Sequence, residues 1–177
     1  MTEVYTTRNR SIKSRAKGSS LQLTDCLSSL LALELLSPGP ELYLISPWIS
    51  EIRLLDDRFS QYRGVLSDSN REVLPLGTIF AILAERGTQV RIICRPNHPQ
   101  TEGFLRKLPP EVECRHAQTL HEKGLISHRF YLRGSMNFTY SGVNLNDESV
   151  ELTTDPAQVA LAVVEVRKRW EDAEPWR

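Results

Sequence analysis

Three short segments concentrate side chains able to do chemistry: His121-Glu122-Lys123, Gly134-Ser135-Met136-Asn137, and the run from Asn144 to Glu148. On an extended strand, residues i and i+2 face the same way. His121 and Lys123 then present an imidazole beside an ammonium, and Ser135 and Asn137 a hydroxyl beside an amide. Gly134 permits close backbone approach. Together these groups offer a nucleophile or base, a cation and two neutral donors, a set suited to a phosphate oxyanion. Glu148 adds a carboxylate able to accept a hydrogen bond from the imidazole and fix its tautomer. Singly, each residue is ordinary: a lone strand histidine is commonly a polar surface or satisfied core residue, and Gly-Ser is commonly a turn. The joint spacing carries the argument.

Positioning these groups requires a frame. In residues 21–36, Leu23, Leu27, Leu30 and Leu31 fall at helical spacing, and Ser37-Pro38-Gly39-Pro40 stops the run. Residues 41–46 predict a strand leading into Pro47-Trp48, and residues 51–72 a long charged loop. A helix over 73–86 ends at Gly87, a strand covers 88–94, a short helix 100–107 and a third strand 111–117. That alternation predicts an α/β architecture with a mixed, largely parallel sheet flanked by helices on both faces. Residues 121–134 break it, as two short runs flanking His128 read as a hairpin. A helical turn over 138–144 and a strand over 148–153 follow. Asp155-Pro156 then reads as an N-cap with proline at N1, opening a helix with Val159, Ala162, Val163 and Val166 on one face.

Composition bounds the reading. A chain of 177 residues predicts one domain with a sizeable core. The 40% hydrophobic and 25% charged content excludes global disorder. With 22 basic and 22 acidic residues, nothing draws the whole molecule to a polyanion, so a local patch must do so. Residues 1–20 carry Arg8, Arg10, Lys13, Arg15 and Lys17 against Glu3, and read as a basic arm ahead of a domain spanning 21–177. Arg8, Arg10 and Arg15 are candidate phosphate contacts, with a solvated terminus as the alternative. Arg53, Arg58, Arg63 and Arg71 in the long loop admit the same two readings. From residue 147 onward, eight acids against four bases offset the arm. Cys26, Cys94 and Cys114 lack paired spacing and read as reduced thiols, with no metal site or other cofactor expected. No signal-peptide pattern opens the chain, and no apolar run approaches the ~20 residues of a membrane span. The expectation is a cytoplasmic protein without membrane partners.

The motif residues resemble the phospholipase D superfamily, whose pattern is His-x-Lys, four residues, Asp, about six residues, then Gly-Ser-x-Asn. His121, Lys123, Gly134, Ser135 and Asn137 match it, and Glu148 stands where single-motif bacterial endonucleases of that superfamily carry a glutamate. Ser46-Pro47-Trp48 is similar to the Ser-Pro-aromatic strand end found near that active site, which makes Ser46 and Trp48 candidate substrate-binding residues. The run GSMNFTYSGVNLNDE is similar to the small phospholipase D-like proteins found beside bacterial 7-deazaguanine DNA-modification genes, the DpdK type. Two departures stand out: His128 occupies the motif aspartate position, and the hairpin is one residue shorter.

The resemblance implies a phospholipase D-like fold and metal-free phosphodiester cleavage, most readily a DNA nuclease. One histidine attacks phosphorus, and a second protonates the leaving oxygen. Lys123, Ser135 and Asn137 would hold the non-bridging oxygens, and the single motif implies a homodimer sharing one composite site. The DpdK-type likeness adds partner proteins of a DNA-modification system. His128 leaves open a non-catalytic phosphate- or DNA-binding module. A lipid phosphodiesterase is a third reading, which no amphipathic membrane helix supports.

Overall fold

The computed structural model describes residues 8–14, 20–56 and 73–176. In chain order the elements are β1 (Asn9–Ser14), α1 (Ser20–Leu36), β2 (Glu41–Ile45), β3 (Arg53–Asp56), β4 (Val73–Pro75), α2 (Leu76–Glu85), β5 (Gln89–Cys94) and α3 (Pro99–Leu105). They continue with β6 (Glu113–His116), β7 (Gly124–Ser127), β8 (Tyr131–Gly134), α4 (Tyr140–Asn144), β9 (Glu148–Thr153), α5 (Pro156–Asp172) and β10 (Glu174–Pro175).

Eight strands form one sheet in the order β1-β9-β8-β7-β2-β5-β6-β10. β2 lies mid-sheet and is buried along its whole length, hence the apolar run Leu42–Ile45 after the buried Glu41. Leu42 and Leu44 point into the larger core with α1 and α2 residues, while Tyr43 and Ile45 point into a smaller core beneath Val166 and Trp170 of α5. The expected α/β class, with a mixed sheet between helices, is therefore present. Its parallel share is smaller than expected: β2 pairs in parallel with β5, and β5 with β6, whereas every other pairing in this sheet is antiparallel. Helix–strand alternation announced only the three parallel strands. Strands β7 and β8 are joined by a short turn and run antiparallel, as short connections allow, and β9 returns antiparallel to β8 after α4.

Two further expectations are corrected. Asn9–Ser14, placed by sequence in a polar arm, is an edge strand antiparallel to β9. Its Ile12 and Ser14 are buried, an alternation masked by the surrounding charges. Arg53–Asp56, placed in the long loop, pairs with Val73–Pro75 as a separate two-stranded sheet. Arg58, Arg63 and Arg71 lie outside the described residues.

Local signals hold where their physics is local. Gly87, at φ +91°, ends α2 in the left-handed region that glycine adopts at least cost. Asp155 caps α5, accepting from the N–H groups of Ala157 and Gln158 at 3.1 Å each. Cys26, Cys94 and Cys114 form no disulfide among the described residues, and burial pushes the Cys94 thiol up to about 12. No helix among the described residues is long and apolar enough to cross a membrane.

Candidate active site

Strand direction decides what meets where. One edge of the sheet gathers the C-terminal ends of β2, β5, β6 and β8 and the N-terminal ends of β7 and β9. Carboxyl ends of parallel strands are a common place for ligand sites in α/β sheets. Residues 46–50, 95–98, 117–123 and 135–147 all leave the sheet on this edge. The edge therefore brings together His121, Lys123, Ser135, Asn137, Glu148, Ser46 and Trp48.

His121 and Lys123 sit in irregular chain just ahead of β7, not within a strand as expected. Leu120, 1% exposed, is anchored in the core beneath α5, which turns His121 outward. The Lys123 ammonium donates to the His121 carbonyl at 2.7 Å, and the Lys123 carbonyl accepts from the N–H of Gly134 at 3.3 Å. That bond ties the His-x-Lys segment to the Gly-Ser-x-Asn segment. Beyond Gly134, Met136 and Phe138 are buried, so Ser135 and Asn137 alternate toward the open edge.

The Ser135 hydroxyl donates to Glu148 and accepts from the N–H of Ser149 at 3.1 Å. Among the described residues the Glu148 carboxylate is met by Ser135 and by Asn146 Nδ2 at 3.3 Å, and not by an imidazole. The expected Glu148–His121 bond is thus absent within one chain. Ser46 is 0% exposed. Its hydroxyl donates to the Trp48 carbonyl at 2.7 Å, accepts from the N–H of Phe138 at 3.2 Å, and lies 3.5 Å from Asn137 Oδ1. Fully buried, with its proton committed to Trp48, Ser46 packs beside Asn137 and cannot touch a substrate itself. Trp48 remains 42% exposed.

One residue here escaped sequence reasoning. Arg95 follows β5 directly. Its Nε donates to the Leu120 carbonyl at 2.6 Å, and its Nη2 lies 3.1 Å from His121 Nδ1 and 2.9 Å from Nε2. Its available signal was a cation one residue past a predicted parallel strand; nothing local linked it to a histidine 26 positions away.

Other expected contributors lie elsewhere. β1 runs antiparallel to β9, with Ser14 opposite Glu148 and Arg10 opposite Leu152. At ~3.3 Å per residue, Arg10 stands about 13 Å and Arg8 about 20 Å along the strand from Ser14. Arg8 instead pairs with Asp155 at 3.2 Å, beside the α5 cap. Arg15 lies outside the described residues. His128 is in the β7–β8 turn at the opposite edge, its ring against Gly39. The substitution of the motif aspartate consequently leaves the His121 edge untouched. That turn is held by Arg129, which donates to Glu34 at 3.1 Å and to the Ser37 hydroxyl at 2.9 Å.

Gly134 answers to sterics. A Cβ built there would lie 2.1 Å from the Ser149 carbonyl oxygen and 2.8 Å from Val150 Cα. Both are backbone atoms of the neighbouring strand and cannot swing aside. Gly134→Ala is expected to cost about 3 kcal/mol or more by forcing β8 from β9. A urea midpoint unchanged from wild type would contradict this close approach.

Comparisons with known proteins bear on the family and the fold. The family model described as "Cardiolipin synthase, PLD-like domain" matches residues 66–170. The mitochondrial cardiolipin hydrolase of Mus musculus is 29% identical over 108 residues, covering 56% of this chain and 48% of that protein. The chain spans about half the length of the curated relatives it matches. Among solved structures, NucT from Helicobacter pylori superposes with a TM-score of 0.62 at 18% identity, covering 95% of this chain and 98% of NucT. Nuc from Salmonella typhimurium, a phospholipase D family member, gives 0.61 at 13% identity, covering 96% and 97%.

Proposed function

Because this chain belongs to the phospholipase D-like family, we propose that it is a metal-independent phosphodiesterase acting on DNA, working through a phosphohistidine in a site shared by two copies. The observation that carries the reading is the convergence of His121, Lys123, Ser135 and Asn137 on one sheet edge, tied together by the Gly134–Lys123 bond. A ring nitrogen of His121 attacks phosphorus, and the bond from phosphorus to the leaving oxygen breaks. A second histidine donates its proton to that oxygen, then takes a proton from water. The hydroxide attacks phosphorus, the P–N bond breaks, and His121 is restored. Lys123, Ser135 and Asn137 stabilise the charge on the non-bridging oxygens at each step.

The need for a second copy follows from a census. The chain has four histidines. His98 spends Nδ1 on the N–H of Thr101, at 3.3 Å. His116 has its Nε2 buried, and desolvation lowers its pKa. His128 is at the far edge. The second catalytic imidazole is then His121 of another copy, brought in by an isologous contact. The oligomeric state at working concentration, by sedimentation, tests this; a strictly monomeric active species would refute the shared site. The likeness of 134–148 to the DpdK type adds a role in DNA modification or defence, with partner proteins from such a system.

Arg95 enters as a positioning residue, acting through Leu120 and the His121 ring. Arg95→Lys keeps the charge but loses the fork that spans both. Turnover is expected to fall about ten- to a hundredfold with little change in KM. A loss confined to KM would mean that Arg95 binds substrate and does not position His121.

The direct test of the function is the purified protein incubated with single-stranded and plasmid DNA in EDTA, wild type beside His121→Ala. Cleavage by the wild type alone supports the reading. Binding with salt-dependent affinity but no turnover at any pH would replace it with a non-catalytic DNA-binding module.

A further inference from the structure

Trp48 stands out at the active edge as a large aromatic side chain left 42% exposed. Burying such a ring elsewhere would gain ~1.5–3 kcal/mol, so its exposure calls for a reason. The indole is not loose. It stacks on the His98 imidazole, with centroids 5.7 Å apart and planes 28° apart. His98 is fixed in turn: Nδ1 accepts from the N–H of Thr101 at 3.3 Å and lies 3.0 Å from its hydroxyl. Thr101 is 0% exposed, and its Oγ1 accepts from the N–H of Ile49, the residue after Trp48, at 3.0 Å. Asn97, at φ +61°, makes the tight turn that sets His98 under the indole. The two rings are therefore locked to each other through one buried threonine.

This locked pair sits beside the phosphate-binding groups. The Ser46 hydroxyl, which donates to the Trp48 carbonyl, lies 3.5 Å from Asn137 Oδ1. The short segment from Arg95, against His121, to His98, beneath Trp48, joins the two places. With the His98 imidazole stacked against the indole, its exposed part is a pre-organised aromatic surface. Such a surface is complementary to the π-face of a nucleobase. In a duplex that face is covered by neighbouring pairs, whereas in a single strand it is available. A lipid acyl chain gains little from one flat ring without apolar walls.

We infer that Trp48, backed by His98, is a stacking platform for an unpaired nucleobase flanking the scissile phosphate, so that the substrate is single-stranded nucleic acid. The scissile role of that phosphate rests on the phosphodiesterase reading; the platform itself does not. The experiment therefore reads affinity and cleavage separately, using the full chain in EDTA. The probes are a labelled oligothymidylate, an abasic oligonucleotide of equal length, the matching duplex, and cardiolipin-containing vesicles. Oligothymidylate is expected to bind about ten- to a hundredfold more tightly than the abasic strand, and more tightly than the duplex. Trp48→Ala should collapse that ratio toward one, and Trp48→Phe should retain most of it. His98→Asn keeps an acceptor for the Thr101 N–H but removes the supporting ring, and should lower the ratio severalfold. Equal affinity for base-bearing and abasic strands, an undiminished ratio in Trp48→Ala, or preference for the duplex or for vesicles would overturn the platform. Base-dependent binding without cleavage by the wild type would leave the platform standing and remove the phosphodiesterase reading.

Discussion

Replacing His121 with alanine is expected to lower phosphodiester cleavage by at least about 10⁴-fold, since covalent catalysis loses its nucleophile. At ~1.36 kcal/mol per tenfold, that is about 5–6 kcal/mol of transition-state stabilisation. The fold should survive, because His121 is exposed and its loop is anchored by the neighbouring Leu120 in the core and by the Arg95–Leu120 bond. Wild-type turnover should persist in EDTA. Rapid quenching should trap a protein–nucleotide adduct that is stable to alkali and labile to acid, the behaviour of a phosphorus–nitrogen bond. Adduct formation in the alanine variant would assign the nucleophile elsewhere. On the proposed shared site, a mixed dimer with one alanine chain should also lose turnover. Half-activity per mixed dimer would argue for independent sites.

Replacing Arg129 with methionine is expected to cost about 3 kcal/mol of stability, because it strands a buried carboxylate without its counter-charge. Glu34 is 0% exposed, and its carboxylate takes Arg129 at 3.1 Å and the N–H of Gly39 at 3.2 Å. Without the guanidinium it is a buried anion with one backbone donor. The 27% exposure of the Arg129 side chain keeps the expected cost toward the lower end for a buried pair. At ~2–4 °C per kcal/mol for a chain of this size, the unfolding midpoint should fall by roughly 10 °C. Adding Glu34→Leu should recover much of the loss, because no isolated charge remains. A single variant as stable as wild type would show that the pair contributes nothing. His128, one residue away but exposed, should behave oppositely. His128→Ala should alter turnover less than about threefold, since the β7–β8 turn lies at the edge away from His121. A loss comparable to that of Arg95→Lys would place His128 in the catalytic apparatus after all.

The contrast between these neighbours shows what sequence spacing conveys. Motif position identified His128 as the replacement for an aspartate and suggested damage to the site. Four strand residues separate it from Lys123, and a strand of that length carries the chain to the other edge of the sheet. Spacing along a chain reports distance only once the direction of the element is known. The same lesson applies to Arg8 and Arg10, which are basic and near the N-terminus but paired along β9 away from Glu148. Trp48 was legible as a candidate, yet nothing in the sequence tied it to its support, His98. The stacking contact spans 50 positions, and no local pattern encodes it.

What the sequence determined by itself is set by interactions within a few residues. Apolar periodicity marked α1 and the buried stripe of α5, with Trp170 extending that stripe beyond the expected positions. Asp155 and Gly87 marked helix ends, and the alternation of Met136 and Phe138 with Ser135 and Asn137 turned the polar pair outward. The chemical identity of the site belongs to this class, because the side chains that define it fall in two short runs and a glutamate. Tertiary structure alone decided which way each strand runs, that residues 9–14 close the sheet, and that Arg95 meets His121. These are pairings between distant segments, chosen by competition among burial, strand register and backbone hydrogen bonding across the whole chain. Arg95 has no sequence neighbour that requires it to be arginine. Its role appears only when β5 and the segment before β7 end at the same edge of one sheet.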